Sequence, residues 1–110
     1  MAGSNLYSGT LDLLILRALV WGPLHGYGIG RWIRVSSSEI LKVEEGALYP
    51  ALHRLEKNGW LESEWGMTER KRQAKFYRLS KQGKQHLQAE TARWTEHAGA
   101  VQAVLAAQRS

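Results

Sequence analysis

The spacing of apolar residues changes period twice along this chain, and that change limits the folds open to it. Up to Gly59 they recur every three to four positions, as on helices. From Trp60 to Leu79 they recur at every second position, as on strands, and from Lys81 the helical spacing returns. Three helices, one hairpin and a long final helix make a mainly α protein of the α+β class. At 110 residues there is room for one domain with a modest core, so a second subunit would help to cover it.

Ser8 and Thr10 are candidate N-caps for the first helix, and the small polar start "MAGSN" reads as frayed. In that helix Leu11, Leu14, Ile15, Ala18 and Leu19 form one stripe, while Leu13, Leu16, Val20 and Trp21 make the other side apolar too. A helix apolar all round needs cover on both sides, which here points to another chain. Gly22 and Pro23 end it. A second helix is predicted over 26–35, with Ile29, Trp32 and Ile33 on one side, and the serines at 36–38 break it.

The stretch "EEGALYPALHRLEKNGWL" holds the third helix, with Leu48, Ala51, Leu52 and Leu55 as its buried stripe and Gly59 as its stop. Pro50 is costly beyond a first turn and sets the expected start near Gly46 or Ala47. At 100° per residue, Tyr49, Pro50, His53, Arg54 and Lys57 fall within about 140° of one another, away from the leucines. Arg54 and Lys57 suit phosphates or guanine edges, Tyr49 can donate to a phosphate, and His53 can do either according to its tautomer.

"WLESEW" sets Leu61 and Trp65 against Glu62 and Glu64, and "KFYRL" sets Tyr77 and Leu79 against Phe76 and Arg78. The connection "GMTERKRQA" is the expected tip of this hairpin. Between Gly66 and Arg78, Arg70, Lys71, Arg72, Lys75 and Arg78 stand against Glu69 alone, so most of the chain's net charge of +5 lies in the wing. A third helix with an exposed polar face beside a basic hairpin is the arrangement of a winged helix-turn-helix, in which that helix enters the major groove and the hairpin reaches a neighbouring backbone or minor groove. Each surface taken alone is also what a solvated helix face or a solubilising loop looks like.

Ser80 can cap a final helix running to about Gln108, in which Leu87, Thr91, Trp94, Ala98, Val101 and Leu105 repeat by four and three. The repeat is too short for a free-standing coiled coil, and Gly99 weakens it further, so a lateral pairing helix fits better. Trp94 reads two ways: as helix-to-helix packing, or as one wall of a slot for a flat aromatic molecule where two copies meet.

Other chemistries find little support. A hydrophobic content of 44% with 23% charged residues argues against wholesale disorder. No cysteine is present, which removes disulfides, zinc fingers and thiolate chemistry. His25, His53, His86 and His97 lack metal-binding spacing, and no catalytic constellation appears. "HGYGIG" gives G-x-G-x-G after a helix, not a dinucleotide fingerprint after a strand, and close helix packing explains its glycines better. The apolar run from Leu11 to Trp21, broken by Asp12 and Arg17, falls far short of the roughly 20 residues of a membrane span. No cofactor, metal, membrane partner or enzymatic activity is therefore expected.

The segments "GTLDLLILRAL", "GPLHGYGI", "VEEGALYPALHRLEKNGWL", "SEWG" and "AKFYRLSKQG" resemble, in that order, the PadR family of transcriptional regulators, in its smaller form with a single C-terminal helix. The resemblance implies a winged helix-turn-helix over 1–80 and a dimerisation helix over 81–110, within one compact unit. It implies a cytoplasmic bacterial homodimer, joined through its first and last helices, that represses transcription at a pseudo-palindromic operator in double-stranded DNA. On the family pattern Tyr49, Pro50, His53 and Lys57 match the recognition helix, and Arg70, Lys71, Arg72 and Lys75 match the wing. Some members release DNA on binding aromatic compounds, and in some a tryptophan of the last helix stacks on the ligand; Trp94 falls in the comparable region. Two rivals remain: a small-molecule sensor built on the Trp94 slot, and a non-specific architectural DNA binder.

Overall fold

The computed structural model describes the backbone of residues 2–109 and the side chains of residues 9–109. The elements are α1 (Ala2–Ala18), β1 (Leu24–His25), α2 (Gly26–Ser36), α3 (Glu45–Lys57), β2 (Leu61–Met67), β3 (Gln73–Leu79) and α4 (Lys81–Ala106). The one element absent from the sequence reading is β1, which pairs antiparallel with β3 through Leu24↔Tyr77 and His25↔Phe76 and gives the sheet order β1-β3-β2. A strand of two residues has no period to detect.

Apolar stripes from every layer meet in one core. Ile15 and Leu16 of α1, Ile29 of α2, Leu52 and Leu55 of α3 and Leu61 of β2 are fully buried. Each such side chain contributes roughly 1.5–3 kcal/mol of transfer free energy. Helix α1 starts about two turns before its expected caps, so Ser8 and Thr10 lie inside it, and Ala2 to Asn5, expected to fray, are helical. Hydroxyl residues are only mildly unfavourable within a helix, so neither stops it; the side chain of Ser8 lies outside the described residues. Leu11, Ala18 and Leu19 are buried as well, whereas Val20 and Trp21 remain exposed.

Helix α2 is capped by His25, whose Nδ1 accepts from the Gly28 amide at 3.1 Å. Its glycines permit close approach. A methyl on Gly26 would stand 2.7 Å from Cε1 of Tyr49, and one on Gly30 would stand 3.7 Å from Cδ2 of Leu48. Helix α3 begins at Glu45, a residue earlier than expected, which places Pro50 in its second turn and leaves the Gly46 carbonyl without its usual donor. It ends in a Schellman motif. Gly59, at φ +81°, donates to the Glu56 carbonyl at 2.9 Å, and Trp60 donates to that of Leu55 at 3.1 Å.

Strands β2 and β3 pair from Leu61↔Leu79 to Met67↔Gln73, so the tip is only Thr68 to Arg72, shorter than the connection expected at 66–74. Thr68 closes it. Its amide donates to the Arg72 carbonyl at 2.8 Å, its carbonyl accepts from Lys71 at 2.9 Å, and its Oγ1 accepts from the Arg72 amide at 3.2 Å. Lys71 takes the left-handed conformation, φ +59°, that turns the chain. Trp65 shares the face of Leu61 yet is 68% exposed, because the hairpin has by then projected past the core.

Helix α4 is fastened at its first turn. The Ser80 hydroxyl accepts from the Gly83 amide at 3.0 Å and donates to the Gly59 carbonyl at 2.6 Å, and the Ser80 amide donates to that of Trp60 at 3.1 Å. His86 stacks on Trp60 with ring centroids 3.6 Å apart. Beyond Leu87 no described side chain of α4 is buried, and the helix extends the molecule to 63 Å against 29 and 27 Å in the other directions. Among the described residues no helix is long and apolar enough to cross a membrane.

Gly83 tests this joint, because an added methyl would collide with the Trp60 carbonyl oxygen. Gly83→Ala is expected to cost about 3 kcal/mol in urea unfolding, as overpacking against backbone does. Gly46→Ala, with nothing within 4 Å of the new methyl, should stabilise by at most about 1 kcal/mol.

Candidate nucleic-acid interface

The orientation of α3 follows from what it buries. With Leu48, Ala51, Leu52 and Leu55 all at 3% exposure or less, the opposite side must face solvent, and Tyr49, Pro50, His53, Arg54 and Lys57 are all exposed. These five are not equivalent, however. Tyr49 leans on the backbone of α2 at Gly26, where the missing side chain leaves room for its ring. Arg54 turns toward α1 and pairs with Asp12 at 2.5 Å.

Asp12 is the reason Arg54 is held. Burial pushes its carboxyl above the usual aspartate range, and the Arg54 guanidinium, with His86 at longer range, pulls it back only in part. The short contact and the raised value agree: the pair offsets the desolvation without overcoming it. Arg54 thus ties α3 to α1 in addition to lying on the exposed side of α3.

The basic residues of the wing divide in the same way. Lys75 is half-buried and pairs with Glu56 of α3 at 3.2 Å, and Glu56 also accepts from the Ser63 hydroxyl at 2.6 Å. The Ser63 hydrogen bond is the main cause that holds the Glu56 carboxyl below its ordinary range, and Lys75 adds to it. On the other face of the hairpin Arg78 is engaged by Glu62 and Glu64, at 3.1 and 3.5 Å. Among the described residues, Lys57, Arg70, Lys71 and Arg72 enter no side-chain ion pair. Among the described basic residues of α3 and the wing, those open to an external anion are therefore at the end of α3 and the tip of the wing.

A cleft runs between these two elements, lined by Tyr49 of α3, Trp65, Arg72 and Lys75 of the wing, and Tyr27 of α2. The sequence reading does not single out Tyr27 and Trp65, nor the positioning acids Asp12 and Glu56. Trp65 carries a signal, an indole at an alternating position, but alternation alone places it on the inner face. The ion pairs Asp12–Arg54 and Glu56–Lys75 join residues far apart in the chain and leave none.

The residues expected at the second surface are also split. Leu87 belongs to the core of its own chain at 9% exposure, whereas Trp94, Val101 and Leu105 are 49%, 45% and 80% exposed and Ala98 is half-buried. Trp94 lines a groove between Gly9, Thr10 and Leu13 of α1 and Arg93 and His97 of α4, which continues along α4 past Ala98, Val101 and Leu105.

Two helices, an outward-facing third and a basic hairpin beside it define a winged-helix protein. The pattern of the PadR-like transcriptional regulator family matches residues 15–89, and the chain belongs to that family of DNA-binding regulators. A transcriptional regulator from Clostridium thermocellum is 31% identical, with a TM-score of 0.80 over 89% of this chain and 95% of that one. A PadR family transcriptional regulator from Eggerthella lenta is 30% identical, with a TM-score of 0.79 over 97% of this chain and 91% of that one. An uncharacterised protein of Lysinibacillus sphaericus is 30% identical over 96 residues, covering 87% of this chain and 88% of that one.

The tie between α1 and α3 can be tested directly. Arg54→Ala leaves a half-buried carboxylate without its partner and is expected to cost about 1–3 kcal/mol. Asp12→Asn keeps the shape while removing the charge, and should stay within about 0.5 kcal/mol of the parent at neutral pH. Urea unfolding of both variants checks the difference.

Proposed function

We propose that this regulator is a homodimeric repressor that binds a pseudo-palindromic operator with α3 in the major groove and the wing on the flanking backbone. Tyr49, Pro50, His53 and Lys57 face the groove in this reading, and Arg70, Lys71 and Arg72 neutralise phosphates. Arg54 and Lys75 contribute after exchanging Asp12 and Glu56 for DNA. The observation that carries the reading is the alignment of unpaired cations, Lys57 and the wing tip, on the two elements that flank one cleft. Residues 1–80 act as the DNA-binding unit and 81–110 as the dimerisation helix, with copies meeting through α1 and α4. The uncovered apolar side chains Trp94, Val101 and Leu105 support that interface. Two half-sites about one helical turn apart, ~34 Å, suit such a dimer.

The groove beside Trp94 supports an aromatic effector that releases the DNA. The rival in which effector binding is the main activity and DNA contact is vestigial rests on the same groove, and Trp94→Ala separates them. Loss of aromatic-ligand binding together with retained operator binding fits an effector-controlled repressor, while a parent protein without any operator preference favours the rival.

The decisive measurement is duplex binding as a function of salt, with the promoter of the protein's own gene as one probe and random sequence as the other. A specific regulator favours its site by ~10³ or more. Replacing Arg70, Lys71 and Arg72 by Ala should weaken both probes and flatten the salt dependence, by about 0.9 in slope for each phosphate that is no longer neutralised. His53→Ala should chiefly alter the preference between sequences. Equal effects of both changes on both probes would overturn this division of roles.

A further inference from the structure

Three exposed aromatic side chains surround the cleft between α3 and the wing. Trp65 is 68% exposed, Tyr27 67% and Tyr49 47%. Scattered singly on a surface such residues need no explanation, but grouped in one concavity they mark a contact surface. Trp65 pairs across the hairpin with Lys75 and projects from the same face, so the indole and the cation look into the cleft together. Arg72 joins them, and among the described residues that line it none is acidic.

The occupant must match both chemistries. The rim of a DNA groove is a ridge in which anionic phosphates alternate with deoxyribose rings whose C–H surfaces are apolar. If α3 occupies the major groove and the wing tip reaches the flanking backbone, the strand that bounds that groove passes through the cleft between them. A cation-and-indole wall fits that ridge: Arg72 and Lys75 meet phosphates, and an indole face covers the sugar between them. Single-stranded nucleic acid is the other polymer that cationic and aromatic walls suit, through base stacking. The cleft lies between the helix assigned to the major groove and the wing assigned to the backbone beside it, and such a groove exists only in a duplex.

We propose that Trp65 is a DNA-positioning residue that packs on a deoxyribose of the strand crossing this cleft, with Tyr49 opposite it, and so fixes how far the wing is set from the recognition helix. This rests on the reading of α3 and the wing as the duplex-binding surface. The contact is apolar, which gives it a signature distinct from that of every cation nearby: it strengthens binding without releasing counterions.

The test is duplex binding by full-length Trp65→Ala and Trp65→Phe at several salt concentrations. Ile40→Ala serves as a control, since that apolar side chain is 79% exposed but does not line the cleft. Trp65→Ala is expected to weaken binding to operator duplex about ten-fold, in line with the burial of an indole face. The salt slope and the unfolding midpoint should be unchanged, Trp65→Phe should recover part of the loss, and Ile40→Ala should have no such effect. Duplex should also quench tryptophan emission less in Trp65→Phe than in the parent.

If the parent binds its operator and Trp65→Ala binds equally well, the inference fails while the reading of the surface stands. A loss accompanied by a flatter salt slope likewise overturns it, since Trp65 would then act through the neighbouring cations. Tighter binding to single strands than to duplex by the parent would replace sugar packing with base stacking. No binding to any duplex would remove the reading beneath it as well.

Discussion

Four side chains on one stripe of α3 determine how the rest of the protein presents itself. Once Leu48, Ala51, Leu52 and Leu55 are packed against α1, α2 and β2, the helix has no rotational freedom left. A rotation of one residue position, about 100°, would bring His53 or Lys57 toward the core and a leucine into water. Burying an unpaired charge costs far more than an apolar contact returns, so the stripe fixes the outward face.

Pairing then sorts the charges on that face. A count of basic residues treats Arg54, Lys75 and Arg78 as equals of Arg70 and Arg72, yet the first three already have carboxylate partners. The acids responsible have structural roles. Asp12 draws α3 onto α1, and Glu56 holds the strands of the wing through Ser63 and Lys75. Leaving aside the cost of stranding the desolvated Asp12 carboxylate, ion pairs open to solvent stabilise weakly in isolation, typically by less than about 1 kcal/mol, and their main effect here is orientation. Among the described cations of α3 and the wing, Lys57 at the end of the helix and those of the hairpin tip stay out of ion pairs.

Most of the fold is legible in the sequence because it rests on local signals. The leucine spacing of α3, the Gly59 stop, the Ser80 cap and the alternation across β2 and β3 each declare themselves within a few residues, and the structure bears them out. The start of α1 is harder to place, because Ser8 and Thr10 resemble caps whether or not the helix passes through them. Strand β1 is too short to carry a pattern, and the tip closes earlier than its composition suggests because Thr68 bonds across it. For the candidate site, exposure of the α3 face and the wing tip is readable. The partners of Arg54 and Lys75 are not, since they come from elements brought together only by folding.

One junction governs how any signal could pass through this molecule. The stop of α3 at Gly59, the entry to β2 at Leu61 and the cap of α4 at Ser80 are knotted by hydrogen bonds into a single corner, with His86 stacked on Trp60 beside it. Helix, hairpin and the root of α4 are therefore tied to one another at this corner. A change at the far end of α4 that reaches this corner meets the helix and its hairpin together, and so displaces both sooner than it re-aims one against the other. In the proposed dimer, regulation would therefore act on the gap between the two copies rather than on the shape of either one.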